Sequence, residues 1–254
     1  MLLYATGNLI NLATLASVST EDTLYVKENL YCERPSKPFR FTAKAGQWVK
    51  VNVGAGVPIT LMACFNHNLT NAAVIQADAN NADAWPGPYH LHFTWRQYDF
   101  YRFLNQTYPW WRFLLSDAGN PFNPQLGELF FGTWTKFTNA KVQPGRDDSP
   151  IFHGVEQQTA YGQDWDAYFS DSQSFKLSLL NINDPATVDE LHTFLRAIYG
   201  TAGRFVLVPD HRQPHVYYCK VTGSPSSSRP VYGEKELRRW GLEFKVLTRG
   251  ITLL

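Results

Sequence analysis

Two histidines spaced two apart, His90 and His92, are the residues of this 254-residue chain whose spacing comes nearest to metal chemistry. Side chains alternate along an extended strand, so both imidazoles would share one face. Zinc needs a third and a fourth ligand, and the local segment has no Cys, Asp or Glu placed to supply them. Exposed or hydrogen-bonded strand histidines fit the pattern better. His153, His192, His211 and His215 form no ligand motif. A nucleophilic enzyme would show a Gly-x-Ser-x-Gly elbow, or a Ser or Cys with an identifiable base, and neither occurs. Gly54-Ala55-Gly56-Val57-Pro58 sits between strands with no helix after it, which excludes a phosphate cradle. Glycoside hydrolysis needs two carboxylates flanking a sugar; Asp83, Asp99, Asp117 and Glu128 are the candidates, and spacing alone does not pair them. Asp117-Ala118-Gly119-Asn120 with Asn123 offers enough oxygens for calcium, although an Asx turn accounts for the same residues. The expectation is a non-enzymatic protein with no cofactor and no resident metal.

The tract from Trp85 to Trp111 is the most distinctive. It holds Trp85, Tyr89, Phe93, Trp95, Tyr98, Phe100, Tyr101, Phe103, Tyr108, Trp110 and Trp111. Aromatic rings stack on the apolar faces of sugars and also fill protein interfaces, and most of these rings are expected in the core. Tyr98, Phe100 and Tyr101 cannot all face one side of a strand, so this run is the expected exposed part. Trp85, Tyr98 and Tyr101 are the candidate ligand or interface residues.

These side chains need strands to hold them. Phe39–Thr42, Trp48–Val53 and Ile59–Phe65 alternate or run apolar between Gly and Pro turns, and Ala73–Ala77, His90–Trp95 and Trp110–Leu115 follow in the same manner. Asp78–Asp83 reads as a polar loop, and Leu126–Lys136 as a last strand entered through Asn120–Pro124. Seven or eight short strands within residues 1–140 are the count of a jelly roll. Gln143–Pro150 is polar and turn-rich and reads as a linker. Residues 141–254 then form a second β-rich domain, to which N-terminal residues could pair. Its strands are expected at Ser174–Leu180, Arg204–Val208, Val216–Thr222 and Leu237–Leu247, with a loop at Ser224–Pro230. One helix, 185–199, is well specified: Asp184 is its N-cap, Pro185 its first residue, and Val188, Leu191, Phe194, Leu195 and Ile198 its apolar stripe, with Gly200 ending it. The fold class is therefore mainly β, a jelly-roll sandwich plus a second β-rich domain with one packed α-helix.

A net charge of +1 with 18% charged residues removes the electrostatic footprint of a nucleic-acid binder. The one basic pair, Arg238-Arg239, is flanked by Glu236 and Glu243 and reads as a solvated face. Cys32, Cys64 and Cys219 are too few and too far apart for a disulfide framework or a Cys-x-x-Cys site, and read as buried free thiols. No secretory pattern and no apolar run of membrane-spanning length is present, so no membrane insertion is expected.

Further motifs carry a resemblance. Asn8-Leu9, Ala13-Thr14-Leu15-Ala16, Trp48–Val51, Asn66–Thr70 with Ala73–Ile75, Trp110–Asp117 and Leu126–Gly132 follow one another in an order similar to the discoidin-like, galactose-binding-type jelly rolls of tailed-bacteriophage tail proteins. In the second part, Phe175–Leu180, Pro185–Tyr199, Gly200, Phe205–Asp210, Leu242–Leu247 and Arg249-Gly250 resemble phage distal-tail and baseplate domains. The resemblance implies a structural component of the virion tail tip, made in the host cytoplasm. It would form a homo-oligomeric ring, a hexamer in that family, joining the tail tube protein to the baseplate hub and receptor-binding proteins. The alternative is a carbohydrate-binding module recognising host-surface glycans through rings such as Trp85 and Tyr101.

Overall fold

The structure, a computed structural model, describes residues 3–97, 99–137, 141–142, 147–158, 164–182, 185–200, 202–208, 216–222, 226–228, 231–232 and 235–247. Asp184, Tyr98, the Gln143–Arg146 part of the expected linker, and His211 and His215 lie outside them. The protein is mainly β with antiparallel sheets and, among the described residues, one α-helix, and it divides into two compact units, Tyr4–Thr135 and Met1–Leu3 with Lys136–Leu254.

The first part of the chain contains β1 (Leu3–Thr6), β2 (Leu15–Val18), a 3-10 turn at Lys27–Tyr31, β3 (Phe39–Arg40), β4 (Gln47–Asn52) and β5 (Ile59–Phe65). It continues with β6 (Val74–Asn80), β7 (Tyr89–His92), β8 (Asp99–Gln106), β9 (Trp110–Ser116), β10 (Gln125–Leu126), β11 (Glu128–Gly132) and β12 (Trp134–Lys136). Strands β2, β4, β9, β6 and β7 lie side by side in one sheet, β11, β5 and β8 in another, and β10 pairs β3. Both sheets are antiparallel.

Period-two patterning decides how they stack. In β4 and β9 every second residue is buried, which turns Val49, Val51, Trp111, Phe113 and Leu115 inward. They meet Met62, Cys64, Phe100, Leu129 and Phe131 of the smaller sheet in one core. Phe100 stacks on Phe113 at 5.8 Å between ring centres, and Trp111 meets Phe131 edge-on at 6.1 Å. Aligned sheets joined through interleaved inner faces make a β-sandwich of jelly-roll type. Glu128, fully buried, accepts from Asn8 Nδ2 at 3.1 Å and from the Glu33 amide at 3.0 Å, tying two loops to β11.

Several expectations needed correction. Asp78 to Asn80 is not loop: β6 continues through it because Ala77 and Ala79 fill core positions and Asp78 is paired across the sheet. The strand expected over Leu126–Lys136 is broken into three, at Gly127 and Thr133. A Cβ at Gly127 would intrude on the Pro35 and Phe65 carbonyl oxygens, so the close approach that ends β10 requires glycine. The 90–95 run leaves the ladder after His92, and Leu3–Thr6 and Leu15–Val18 are strands that four-residue runs did not announce. Cys64 and Cys219 are buried free thiols, whereas Cys32 is only partly covered.

The second unit contains β13 (Lys141–Val142), β14 (Asp147–Gln158), β15 (Asp164–Ile182), α1 (Pro185–Ala197), β16 (Arg204–Val208), β17 (Tyr217–Val221), β18 (Ser226–Ser228), β19 (Val231–Tyr232) and β20 (Lys235–Val246). In its sheet β16, β17, β20, β15 and β13 are neighbours, with β14 also on β15 and β18 and β19 on β20. Asp147–Pro150, read as linker, opens β14, and Ser226–Ser228, read as loop, pairs with β20. Backbone pairing with a long partner overrides polar composition in both places. Helix α1 buries Leu191 and Phe194, and Ile198 just past its end is buried with them, as the stripe predicts, while Asp189 and Arg196 stay exposed. Phe194 meets Phe205 of β16 edge-on at 5.1 Å, so the helix packs on the sheet. It stops two residues short of the expected end, where Tyr199 and Gly200 take positive φ values of 50° and 69°.

Candidate functional site

Outward positions of the five-stranded sheet assemble a polar row from four strands that are distant in sequence. Lys50 of β4 stands opposite Arg112 of β9, Arg112 opposite Asp78 of β6, and Asp78 opposite His90 of β7. Two adjacent cations would repel each other, and two carboxylates compensate them. Asp78 Oδ2 accepts from Arg112 Nη2 at 2.7 Å and its Oδ1 lies 2.8 Å from His90 Nδ1. Asp83 Oδ1 accepts from Lys50 Nζ at 2.8 Å.

Asp83 belongs to the connection between β6 and β7, which folds back over this row and carries Trp85. The indole Nε1 donates to Asp83 Oδ1 at 2.6 Å, and the ring lies 4.8 Å from the Arg112 guanidinium carbon. Lys50 Nζ is 5.9 Å from the Trp85 ring centre and 5.0 Å from that of Trp48. The half-buried Trp85 ring is thus held by a hydrogen bond and two cations. Hydrogen bonds from Lys50 and then from Trp85 hold the Asp83 carboxyl below its usual range, so it stays ionised as an acceptor for both. Gly87 makes the fold-back possible: a Cβ there would overlap the Ala79 carbonyl oxygen. Asp78 is buried and Arg112 nearly so, yet His90 is half exposed and Asp83 exposed, so the row opens to solvent at its edges. Arg112 Nε is buried with no hydrogen-bond partner among the described residues.

His92 lies one position along from His90 on the same face, 3.2 Å from Gln76 Nε2. Neither histidine belongs to a metal-binding group, and no cluster of three or more His, Cys, Asp or Glu able to hold a metal is present among the described residues. Asp117 does not present its oxygens to a cation. Its carboxylate accepts from the Thr70 amide at 2.8 Å, Thr70 Oγ1 at 2.5 Å and Asn120 Nδ2 at 2.9 Å, which makes it a loop tie. Of the carboxylates weighed for glycoside hydrolysis, Asp99 and Glu128 flank Phe65 in the smaller sheet, where Asp99 accepts from the Asn66 amide and the fully buried Glu128 binds Asn8 and Glu33. Tyr101 stands apart from Trp85, on β8 of the smaller sheet, beneath the Arg96 guanidinium at 4.9 Å.

Lys50, Trp48, Asp78 and Arg112 escaped the sequence reading. Lys50, Trp48 and Arg112 were legible as outward residues of alternating strands, but the register that lines them up was not.

No family model matches the chain, and no curated protein matches it. Among solved structures it is similar to chitosan-binding module 1 of a chitosanase/glucanase from Paenibacillus sp. IK-5, at 15% identity and a TM-score of 0.40 over 50% of this chain and 99% of that one. It is also similar to the lectin domain of lectinolysin complexed with Lewis B antigen (14%, TM-score 0.41, 50% and 96%). A fucose-binding module of Streptococcus pneumoniae, SpX-3, matches at 10% identity and a TM-score of 0.40 over 50% and 98%. Similarity at this level leaves function to be argued from the side chains.

Proposed function

We propose that the unit of residues 4–135 is a non-catalytic carbohydrate-binding module whose saccharide lies on the outer face of the five-stranded sheet, beside Trp85. The observation that carries this reading is the fixed Trp85 ring above a row of charged donors and acceptors. A sugar presents an apolar C–H face and a rim of hydroxyls. An indole held in place accepts the former at low entropic cost, and Lys50, Asp83 and His90 offer donors and acceptors for the latter. Rigid placement matters because a mobile ring would lose the binding energy to its own ordering.

The test is a glycan array followed by calorimetry on the full chain, starting with chitosan oligomers, fucose and Lewis b. Binding that falls about tenfold or more in Trp85→Ala, with the melting temperature retained, supports the reading. Saccharide binding unaltered by that substitution would sink it, as would a lack of any glycan ligand.

A second reading, the ring-forming tail-tip component implied by the sequence resemblance, draws support from one element of the second unit. Strand β15 pairs with β20 only over Ser174–Ile182, leaving Asp164–Gln173 with β14 as its sole partner among the described residues. A two-stranded ribbon of this length has unpaired edges that another copy can complete. In this reading the glycan site belongs to a virion part.

A further inference from the structure

The edge of the five-stranded sheet carries a feature of its own. Strand β7 is the last strand of that sheet among the described residues, and it alternates: Leu91 is buried, while His90 and His92 stand exposed on the outer face. The register sets each histidine against a polar residue of β6, Asp78 opposite His90 and Gln76 opposite His92.

Those cross-strand neighbours hold both rings by the same atom. His90 Nδ1 lies 2.8 Å from Asp78 Oδ1, and His92 Nδ1 lies 3.2 Å from Gln76 Nε2. Asp78 also accepts from Arg112 Nη2 at 2.7 Å, so its carboxylate is an acceptor and the His90 proton sits on Nδ1. The Nε2 lone pair of His90 is then free for a cation, with the carboxylate orienting the ring and raising its basicity. Gln76 can serve His92 likewise: with its amide turned over, Oε1 accepts from Nδ1 and Nε2 is freed. Neither ring has another hydrogen bond among the described residues.

Residues two apart on a strand stand roughly 6.6 Å from each other. Imidazoles leaning together across that spacing can meet on one ion, at nitrogen–metal distances of about 2.0–2.1 Å. No third His, Cys, Asp or Glu joins them among the described residues, so this is not the closed centre of a structural zinc protein. It is an open pair, and water fills the other positions. Ca²⁺ and Mg²⁺ take oxygen ligands, and Asp78 is already committed to Arg112 and His90. Imidazole nitrogens suit Cu²⁺, Ni²⁺ and Zn²⁺, of which Cu²⁺ is held tightest.

We propose that His90 and His92 form a two-imidazole site for a divalent transition-metal ion, with Cu²⁺ bound most strongly. The site goes beyond the carbohydrate reading and stands without it, because its ligands are the two histidines alone.

The experiment titrates the full chain with Cu²⁺, Ni²⁺, Zn²⁺ and Ca²⁺ by calorimetry in a buffer that does not bind metals. A single strong Cu²⁺ per chain is expected, with Ni²⁺ and Zn²⁺ weaker and no Ca²⁺. His90→Ala and His92→Ala are each expected to lower Cu²⁺ affinity about tenfold or more, since even an outer partner of a ligand is worth that much. Both positions are exposed, and a retained melting temperature shows that the fold is intact. Trp85→Ala should leave Cu²⁺ binding unchanged, so loss of the glycan reading and loss of this site are read separately. Cu²⁺ affinity untouched by either histidine substitution overturns the proposal, as does Ca²⁺ bound as tightly as Cu²⁺. Strong Cu²⁺ binding that survives in the double variant would place the ion at other histidines and overturn it too.

Discussion

Asp83 illustrates how one exposed carboxylate can organise a surface. It binds Lys50 and the Trp85 indole at once, so truncating it removes an acceptor from the ammonium and from the ring together. Asp83→Ala is expected to weaken glycan binding several-fold by freeing Trp85, with little change in stability because exposed pairs contribute little. Calorimetry beside a thermal melt separates the two effects, and an unchanged affinity would show that Trp85 is fixed without it. His67 has the opposite character. It is buried, its Nδ1 accepts the Leu69 amide at 3.1 Å, and burial lowers its pKa to about 4. Protonation is then easier in the unfolded chain, near the ordinary 6.5, so stability is complete above that value and declines as pH falls toward 4. The decline amounts to about 3 kcal/mol if the full shift is expressed. Urea unfolding at pH 7 and pH 4.5 should show a smaller loss in His67→Gln than in the parent, and identical losses would refute the assignment.

At the scale of elements, the connection between β6 and β7 decides the site. It carries both Asp83 and Trp85, and it can fold onto the sheet only because Gly87 has no side chain to meet Ala79. Gly87→Ala is expected to lower stability by about 1–3 kcal/mol and to abolish glycan binding at Trp85. A saccharide titration beside a thermal melt tests this, and retained saccharide binding would show that the connection does not position the ring. The remaining elements act as a rigid support: Val49, Val51, Trp111 and Phe113 pin the inner faces of the strands that present Lys50 and Arg112 outward.

On the scale of the whole molecule, the two proposed readings divide the duties, recognition falling to residues 4–135 and assembly to the β14–β15 ribbon. If the ribbon completes its edges with other copies, the full chain is expected to be a closed oligomer of several times 29.0 kDa. Light scattering after size exclusion measures this directly. A monomer at micromolar concentration would remove the support for a ring and leave a module that acts alone.

What could be read from residues alone was whatever repeats within one element. Alternation in Gln47–Asn52 and Trp110–Ser116 and the stripe Leu191, Phe194, Ile198 are local, because side-chain direction follows from the strand or helix period without reference to a partner. The sequence also singled out Trp85 by its place in an aromatic tract. It did not show that Asp78 belongs to a strand, that Asp147–Gln158 pairs with Asp164–Ile182 despite polar composition, or that residues 50, 78, 90 and 112 form one row. Those depend on strand order and register, which are set by contacts between segments far apart in the chain. Only the folded sheets settle which outward residues become neighbours.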